Sequence, residues 1–184
     1  MAEPQVQRDN GPPPSIAVPR GSDDLEFTCA RNVKVSAPKN VMAKFSKTLG
    51  DMIGDFADND MKCEGRLSVP EMDADTVERV VSFCVRRYNF EEADSRGAAN
   101  PEDLARAEAK SFSDISVEGL IALIKATNYF DIKPLLDGSC REMARRMKGR
   151  SPEGIRELFN ITEQFTPAEE EEIRQQNPWL QTGD

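Results

Sequence analysis

Two stretches near the carboxyl terminus decide the fold of this chain. Gly149–Ile161 reads GRSPEGIRELFNI, and Phe165–Leu180 reads FTPAEEEEIRQQNPWL. Each has a hydroxyl residue, Ser151 or Thr166, followed at once by proline. A hydroxyl oxygen accepts hydrogen bonds from the free N–H groups of a first helical turn, and the fixed φ of proline suits that turn. We therefore predict two short helices, which are too short to be stable alone in water and carry surplus apolar surface for a partner.

A third stretch, Asn128–Asp137, reads NYFDIKPLLD and leads into a predicted helix over residues 131–148. Pro134 suits its first turn, and Gly149 is typical of a left-handed helix terminator. Spacings of three and four residues predict one buried stripe on this helix. That stripe consists of Leu136, Cys140, Met143 and Met147.

The remaining chain predicts three short strands and several helices. Leu25–Ala30 and Asn32–Ala37 have the β-type residues of a hairpin, and Arg66–Val69 is a third strand candidate. Apolar residues at helical spacing indicate further helices. These helices cover Pro38–Phe45, Thr48–Phe56, Asp75–Arg87 and the stretch after Ser116. The four cysteines, which are far apart in sequence, are expected to be reduced and buried.

The composition excludes several classes of function. The net charge is −9 and no basic patch is evident, so no nucleic-acid partner is expected. No apolar run approaches the roughly 20 residues of a membrane span. The chain contains no histidine, which excludes Ser–His or Cys–His catalysis and His-ligated metals. Catalysis by Asp, Glu or Lys side chains stays open in principle, but no sequence motif supports it. We expect no cofactor, no metal site and no membrane association.

The three carboxyl-terminal blocks resemble one family, the S-phase kinase-associated protein (Skp) adaptors of SCF ubiquitin ligases. The corresponding family patterns are NYLDIKxLLD, GKTPEEIRxxFNI and FTPEEEExxRxENxW. The upstream stretch LSVPEMDADTVERVVSFC, residues 67–84, is similar to LPNVxxxxLxxVIxWC. The resemblance spans about Leu25 to Leu180 and weakens towards the amino terminus. Gly154 stands where the family pattern has Glu, so the chain is a divergent member.

The composition and the resemblance together predict three regions. Residues 1–23, rich in proline, form a disordered arm, because such a composition cannot bury enough surface to offset its chain entropy. Residues 24–133 form a BTB/POZ-like domain of the α/β (α+β) fold class, with a small three-stranded sheet, helices and an acidic insertion at about 89–103. Residues 134–184 form a C-terminal helical extension that binds the F-box. The implied function is a non-catalytic adaptor, cytoplasmic and nuclear, which bridges a cullin and F-box substrate receptors for ubiquitin-dependent protein degradation.

The resemblance also assigns residues to partners. Asn128, Tyr129 and Met52 are expected to bind the cullin, with Tyr129 facing outwards and its neighbour Phe130 packed inside. A weak homodimer through the F-box-binding face is expected when no receptor is present. The alternative is a BTB-type oligomerisation or scaffold protein outside any ligase. The residues expected to bind the F-box are Leu135, Ile155, Leu158, Phe159, Ile161, Phe165, Trp179 and Leu180.

Overall fold

The computed structural model describes residues 24–58, 65–162 and 165–177, with side chains described only to residue 54 in the first range. The predicted proline-rich arm, Cys63, Trp179 and Leu180 lie outside these residues. The described residues divide into two compact units between Cys140 and Arg141. The division between them falls inside a helix, whereas the sequence predicts a boundary after residue 133.

The first unit contains a three-stranded mixed sheet. Strand β1, Asp24–Thr28, lies between β2, Lys34–Pro38, and β3, Arg66–Ser68. It pairs antiparallel with β2 and parallel with β3. Alternate residues of β1 and β2 are buried, as expected for strands with one face on a core. The predicted hairpin and third strand are confirmed.

Five helices of the described residues lie entirely in the first unit, and a sixth runs into the second. These α-helices are α1 (Lys39–Phe45), α2 (Lys47–Asp58), α3 (Ala74–Asp94), α4 (Pro101–Ser113), α5 (Val117–Tyr129) and α6 (Lys133–Met147). Completely buried side chains from β1, α1, α3 and α5 form the core. The small sheet and the helices together confirm the predicted α/β fold class.

Helix α3 continues to Asp94, beyond its predicted end at Arg87. It therefore includes the first residues of the predicted acidic insertion at about 89–103, most of which are exposed. Two arginines of α3 bond to side chains of α4. Arg86 Nη1 donates to Ser111 Oγ at 2.6 Å, and Arg87 Nε lies 2.8 Å from Glu108 Oε1. Glycine at position 97, with φ of 69°, then permits the turn that leads to α4.

The predicted stripe on α6 has the wrong register. Leu135, Ser139 and Met143 are buried, whereas Cys140 is exposed. The other two predicted members, Leu136 and Met147, are only half-buried. A serine fits the buried face because its hydroxyl donates to the Leu135 carbonyl at 2.7 Å. Cys29 and Cys84 are buried as predicted.

The second unit contains the end of α6 and two short helices, α7, Pro152–Leu158, and α8, Pro167–Gln176. Ser151 Oγ accepts from the Gly154 N–H at 3.2 Å. Thr166 and Glu169 form a full capping box, in which the Glu169 carboxylate accepts from the Thr166 N–H at 2.8 Å. Both predicted helix starts are therefore confirmed.

Within the described residues, no helix combines the length and the apolarity needed to cross a membrane. The same part of the chain contains no group of three Cys, Asp or Glu side chains placed to hold a metal ion.

Candidate functional site

The first candidate surface lies at the end of α5. Tyr129 is 56% exposed, whereas the next residue, Phe130, is 1% exposed. The Phe130 ring packs edge-on against Phe27 of the sheet, with centroids 5.6 Å apart, and against Tyr129 at 5.2 Å. The predicted orientation of this aromatic pair is confirmed, and the outward tyrosine is anchored by its buried neighbour.

The chain reverses at this point because α5 ends in a Schellman motif. The Ile132 N–H bonds to the Thr127 carbonyl at 3.0 Å, and the Asp131 N–H bonds to the Asn128 carbonyl at 3.2 Å. Asp131 has φ of 49°, a left-handed conformation that glycine usually provides. The motif sends the completely buried Ile132 back into the core, whereas Asn128 and Tyr129, at the end of the helix, are exposed.

One buried and one exposed hydrogen bond join the start of α2 to the end of α5. Ser46, completely buried, donates from Oγ to the Phe130 carbonyl at 2.6 Å and accepts from the Leu49 N–H at 3.1 Å. Thr48 Oγ1 donates to the Tyr129 carbonyl at 3.1 Å. These bonds fix the backbone that carries the exposed tyrosine. Sequence periodicity gives no signal for them, because their partners are some eighty residues apart.

The three predicted cullin-binding residues share this region. Met52 lies one helical turn after Thr48, and therefore on the face of α2 that bonds to the Tyr129 carbonyl. Its side chain is half-buried, while Asn128 is exposed. We call Met52, Asn128 and Tyr129, with Thr48, the α2–α5 surface.

A groove of about 380 Å³ runs from the start of α3 along α5 to Tyr129. Its apolar lining includes Met72, Ile121 and Ala122. Three carboxylates and one ammonium group add charge to the lining. They belong to Glu71, Asp73, Glu118 and Lys125. Sequence reasoning missed this α3–α5 groove, since its walls come from two separate segments.

The second candidate surface belongs to the second unit. Neither α7 nor α8 contains a buried residue. Ile161 is 50% exposed and Phe165 is 54% exposed, and three more predicted residues are half-buried. We call the set the C-terminal helical surface. It consists of Ile155, Leu158, Phe159, Ile161 and Phe165. Large apolar side chains exposed together are typical of an interaction site.

A second Schellman motif places Ile161. Its N–H bonds to the Arg156 carbonyl at 2.8 Å, and the Asn160 N–H bonds to the Glu157 carbonyl at 3.2 Å. Asn160 has φ of 54°, so a left-handed residue other than glycine ends this helix as well. The two sequence blocks NYFDI and LFNI thus build the same kind of helix end.

One predicted F-box-binding residue requires correction. Leu135 is 2% exposed, so its side chain is not available for direct contact with a partner. Its apolar character contributes to burial of the α6 face instead. Trp179 and Leu180 lie outside the described residues, and their assignments stay predictions.

An ionic cluster lies at the start of the second unit. Glu142 accepts from Arg145 Nε at 2.7 Å, from Arg145 Nη2 at 2.8 Å and from Arg146 Nε at 2.8 Å. Hydrogen bonds from Arg145 and then from Arg146, opposed by partial burial, lower the pKa of Glu142 to about 2. The carboxylate is therefore ionised at any physiological pH.

The buried thiols are poorly suited to chemistry. Burial raises the pKa of Cys84 to about 12, and burial together with nearby carboxylates raises that of Cys29. Both are thiols at neutral pH, and a nucleophilic cysteine must be a thiolate.

Comparison with known proteins gives a consistent result. A family model described as Skp1 family, dimerisation domain, matches residues 133–180. The Dictyostelium discoideum protein named SCF ubiquitin ligase complex protein SKP1a is 32% identical over 151 residues, which cover 80% of this chain and 90% of that protein. SKP1-like protein 1A of Arabidopsis thaliana is 36% identical over 144 residues, covering 77% and 87%. The chain belongs to the Skp1 family.

A third relative, the E3 ubiquitin ligase complex SCF subunit sconC of Talaromyces marneffei, is 30% identical over 88% of this Skp1-family chain and 94% of its own length. The resemblance inferred from the three sequence blocks is confirmed. The matched residues 133–180 include every residue of the C-terminal helical surface.

Proposed function

We propose that this Skp1-family protein is a non-catalytic adaptor of an SCF ubiquitin ligase in the cytoplasm and nucleus. It holds the F-box of a substrate receptor on the C-terminal helical surface and a cullin on the α2–α5 surface, for ubiquitin-dependent protein degradation. Relatives from Dictyostelium discoideum and Talaromyces marneffei are named as SCF complex subunits. The observation that carries the proposal is that α7 and α8 bury none of their residues.

The C-terminal helical surface suits a helical partner. A helix of 7 residues and one of 10 residues cannot be stable by propensity alone. Each aromatic side chain offers about 150–250 Å² for burial, and a standard interface buries about 800 Å² per partner. Phe159 and Phe165 would therefore supply a large share of such an interface together with Ile161. F-box binding would complete the packing that the second unit lacks.

The α2–α5 surface offers a different kind of site. Hydrogen bonds from Ser46 and Thr48 to the carbonyls of Phe130 and Tyr129 fix its backbone. The position of Tyr129 is therefore set before a partner binds. The adjoining α3–α5 groove has an apolar lining with three carboxylates and one lysine. It suits an amphipathic cullin helix with an excess of basic residues, because opposite charges steer association.

The test is a binding matrix of the full chain against a recombinant F-box segment and a cullin N-terminal domain. We expect Ile161→Glu/Phe165→Glu to abolish F-box binding and retain cullin binding, and Tyr129→Glu to do the reverse. Calorimetry measures each pair, and light scattering after gel filtration measures the ternary complex. Wild-type protein that binds neither partner would refute the proposal.

A second candidate is self-association through the same C-terminal helical surface. It is favoured by the family model, whose description includes a dimerisation domain. We propose a weak homodimer that an F-box displaces. Sedimentation velocity should show a concentration-dependent dimer that disappears when F-box is added. A tight dimer that is indifferent to F-box would instead favour a BTB-type scaffold outside any ligase.

A further inference from the structure

Residues 141–150 form a local basic cluster with the sequence REMARRMKGR. They contain five of the 24 cationic residues of the chain and one carboxylate, so their net charge is +4 (five minus one) in a protein of net charge −9. The expectation that the sequence has no basic patch is therefore wrong. The cluster is easily missed because small and apolar residues separate its charges.

The fold brings most of these cations to one side of the helix. Arg141, Arg145 and Lys148 are spaced four and three residues apart, which places them on one face. The helical spacing continues to Lys148, whose N–H bonds to the Ala144 carbonyl at 3.0 Å. We call Arg141, Arg145 and Lys148, with Arg150, the basic ridge. All four are exposed.

Little of this charge is neutralised by the second unit itself. Glu142 pairs with Arg145 and with Arg146, which lies outside the ridge. Within residues 141–162 and 165–177, no carboxylate lies in ion-pair contact with Arg141, Lys148 or Arg150. Arg150 Nε donates to the Arg146 carbonyl at 2.8 Å, which fixes the side chain without cancelling its charge.

Compensation of the helix dipole does not account for the ridge. Cations stabilise the carboxyl end of a helix only within its last turn. Arg141 lies almost two turns before the end of α6 at Met147, and Arg150 lies beyond that end. These two charges gain little from the dipole.

The ridge borders the C-terminal helical surface. A Cβ atom built at Gly154 would lie 3.5 Å from Arg150 Cβ and 3.9 Å from its Cγ. The Arg150 stem therefore lies over the first turn of α7, the helix that carries Ile155 and Leu158. A partner seated on the apolar surface would bring its flanking residues next to these cations.

We propose that the basic ridge docks an acidic segment of the receptor that carries the F-box, and so favours receptors with clustered Asp and Glu beside the F-box. This inference rests on the proposed function. Arg141 and Lys148 are seven residues apart, or about 10 Å along the helix axis, which a few residues of extended peptide can span. Nucleic acid fits less well, because a long polyanion would be repelled by the remaining negative surface.

The test compares one F-box segment carrying an eight-residue glutamate tail with the same segment carrying a Gly/Ser tail. Both segments are titrated into three proteins: the wild-type full chain, a ridge variant and a control variant. The ridge variant carries Arg141→Gln/Lys148→Gln/Arg150→Gln. The control variant has the same change of charge in the first unit, Arg66→Gln/Arg106→Gln/Lys110→Gln. Fluorescence anisotropy at low and at physiological ionic strength gives the affinities. Circular dichroism checks that both triple variants keep the wild-type helix content.

We expect wild type and control to bind the glutamate-tailed segment about tenfold more tightly than the neutral one at low salt, with a smaller preference as salt rises. The ridge variant should lose the preference and bind the neutral segment as wild type does. Equal wild-type affinity for both tails would overturn the inference while leaving the proposed function intact. The inference would also be overturned if a single-stranded oligonucleotide bound through the ridge more tightly than the glutamate-tailed segment does. Failure of all proteins to bind either segment would instead refute the proposed function.

Discussion

The α2–α5 surface and the C-terminal helical surface present exposed aromatic side chains in opposite ways. Tyr129 stands on a backbone held by buried Ser46 and by Phe130, which is nearly inaccessible to solvent. Phe165 stands in a unit whose two short helices contain no buried residue. The first surface is formed by the fold itself, and the second has local caps and little packing. Stability and binding should therefore respond differently at the two sites.

The largest expected contrast is between two phenylalanines. Phe130→Ala should lower the free energy of unfolding by about 3–5 kcal/mol, because it leaves a cavity beside Phe27. Phe165→Ala should change the free energy of unfolding by less than about 0.5 kcal/mol, since the ring is exposed. The same substitution should nevertheless weaken F-box binding. Urea denaturation and calorimetry measure the two effects. A strongly destabilised Phe165→Ala protein would show that the second unit packs more than its exposure indicates.

The hydrogen bonds of the first surface give the next contrast. Ser46→Ala removes a buried hydroxyl that serves the Phe130 carbonyl and the Leu49 N–H, and should cost about 1–3 kcal/mol of stability. The matched control is Ser36→Ala, which removes an exposed hydroxyl and should cost less than about 0.5 kcal/mol. Ser46→Ala should also weaken cullin binding, because Tyr129 would lose its fixed backbone. Equal stability of the two variants would contradict this account.

Much of this architecture is readable from the sequence, and the failures have specific causes. Proline, hydroxyl caps and Gly149 mark helix ends locally, so the starts at Ser116, Ser151 and Thr166 are predicted correctly. Burial of Ser139 depends on a hydrogen bond to its own helix, which a hydrophobic pattern cannot show.

Longer-range features are beyond such patterns. The α3–α5 groove and the bond from Ser46 to Phe130 join segments far apart in the chain. The basic ridge was missed for another reason, since a net charge of −9 conceals a local excess of cations.

Acidification should weaken the second unit, and the largest contribution should come from Glu142. The pKa of Glu142 is about 2 in the folded protein and 4.5 for an unperturbed carboxyl. Because folding lowers this pKa, the stabilisation is present above pH 4.5 and is lost as the pH falls towards 2. Its size is on the order of 1–2 kcal/mol, since solvent screens the exposed Arg145. Glu142→Gln should lack this pH dependence in amide exchange of α6. A Glu142 side-chain NMR titration with a midpoint near 4.5 would disprove the ion-pair explanation.

The smallest expected effect compares the two helix ends. Asp131 and Asn160 both have left-handed φ at the same position of a Schellman motif. Glycine relieves the strain of that conformation, worth roughly 1–2 kcal/mol in a residue with a Cβ, but adds entropy to the unfolded chain. Each glycine variant should therefore stabilise its helix end by only a few tenths of a kcal/mol.

Valine at either position would instead increase the strain, because a β-branched side chain is poorly tolerated at positive φ. Asp131→Val should lower global stability in urea and weaken cullin binding, since the motif orients Tyr129. Asn160→Val should leave global stability nearly unchanged and speed amide exchange in α7 alone, because opening of that helix exposes no buried core. Equal global losses from the two valine variants would show that the C-terminal helical surface is as firmly folded as the α2–α5 surface.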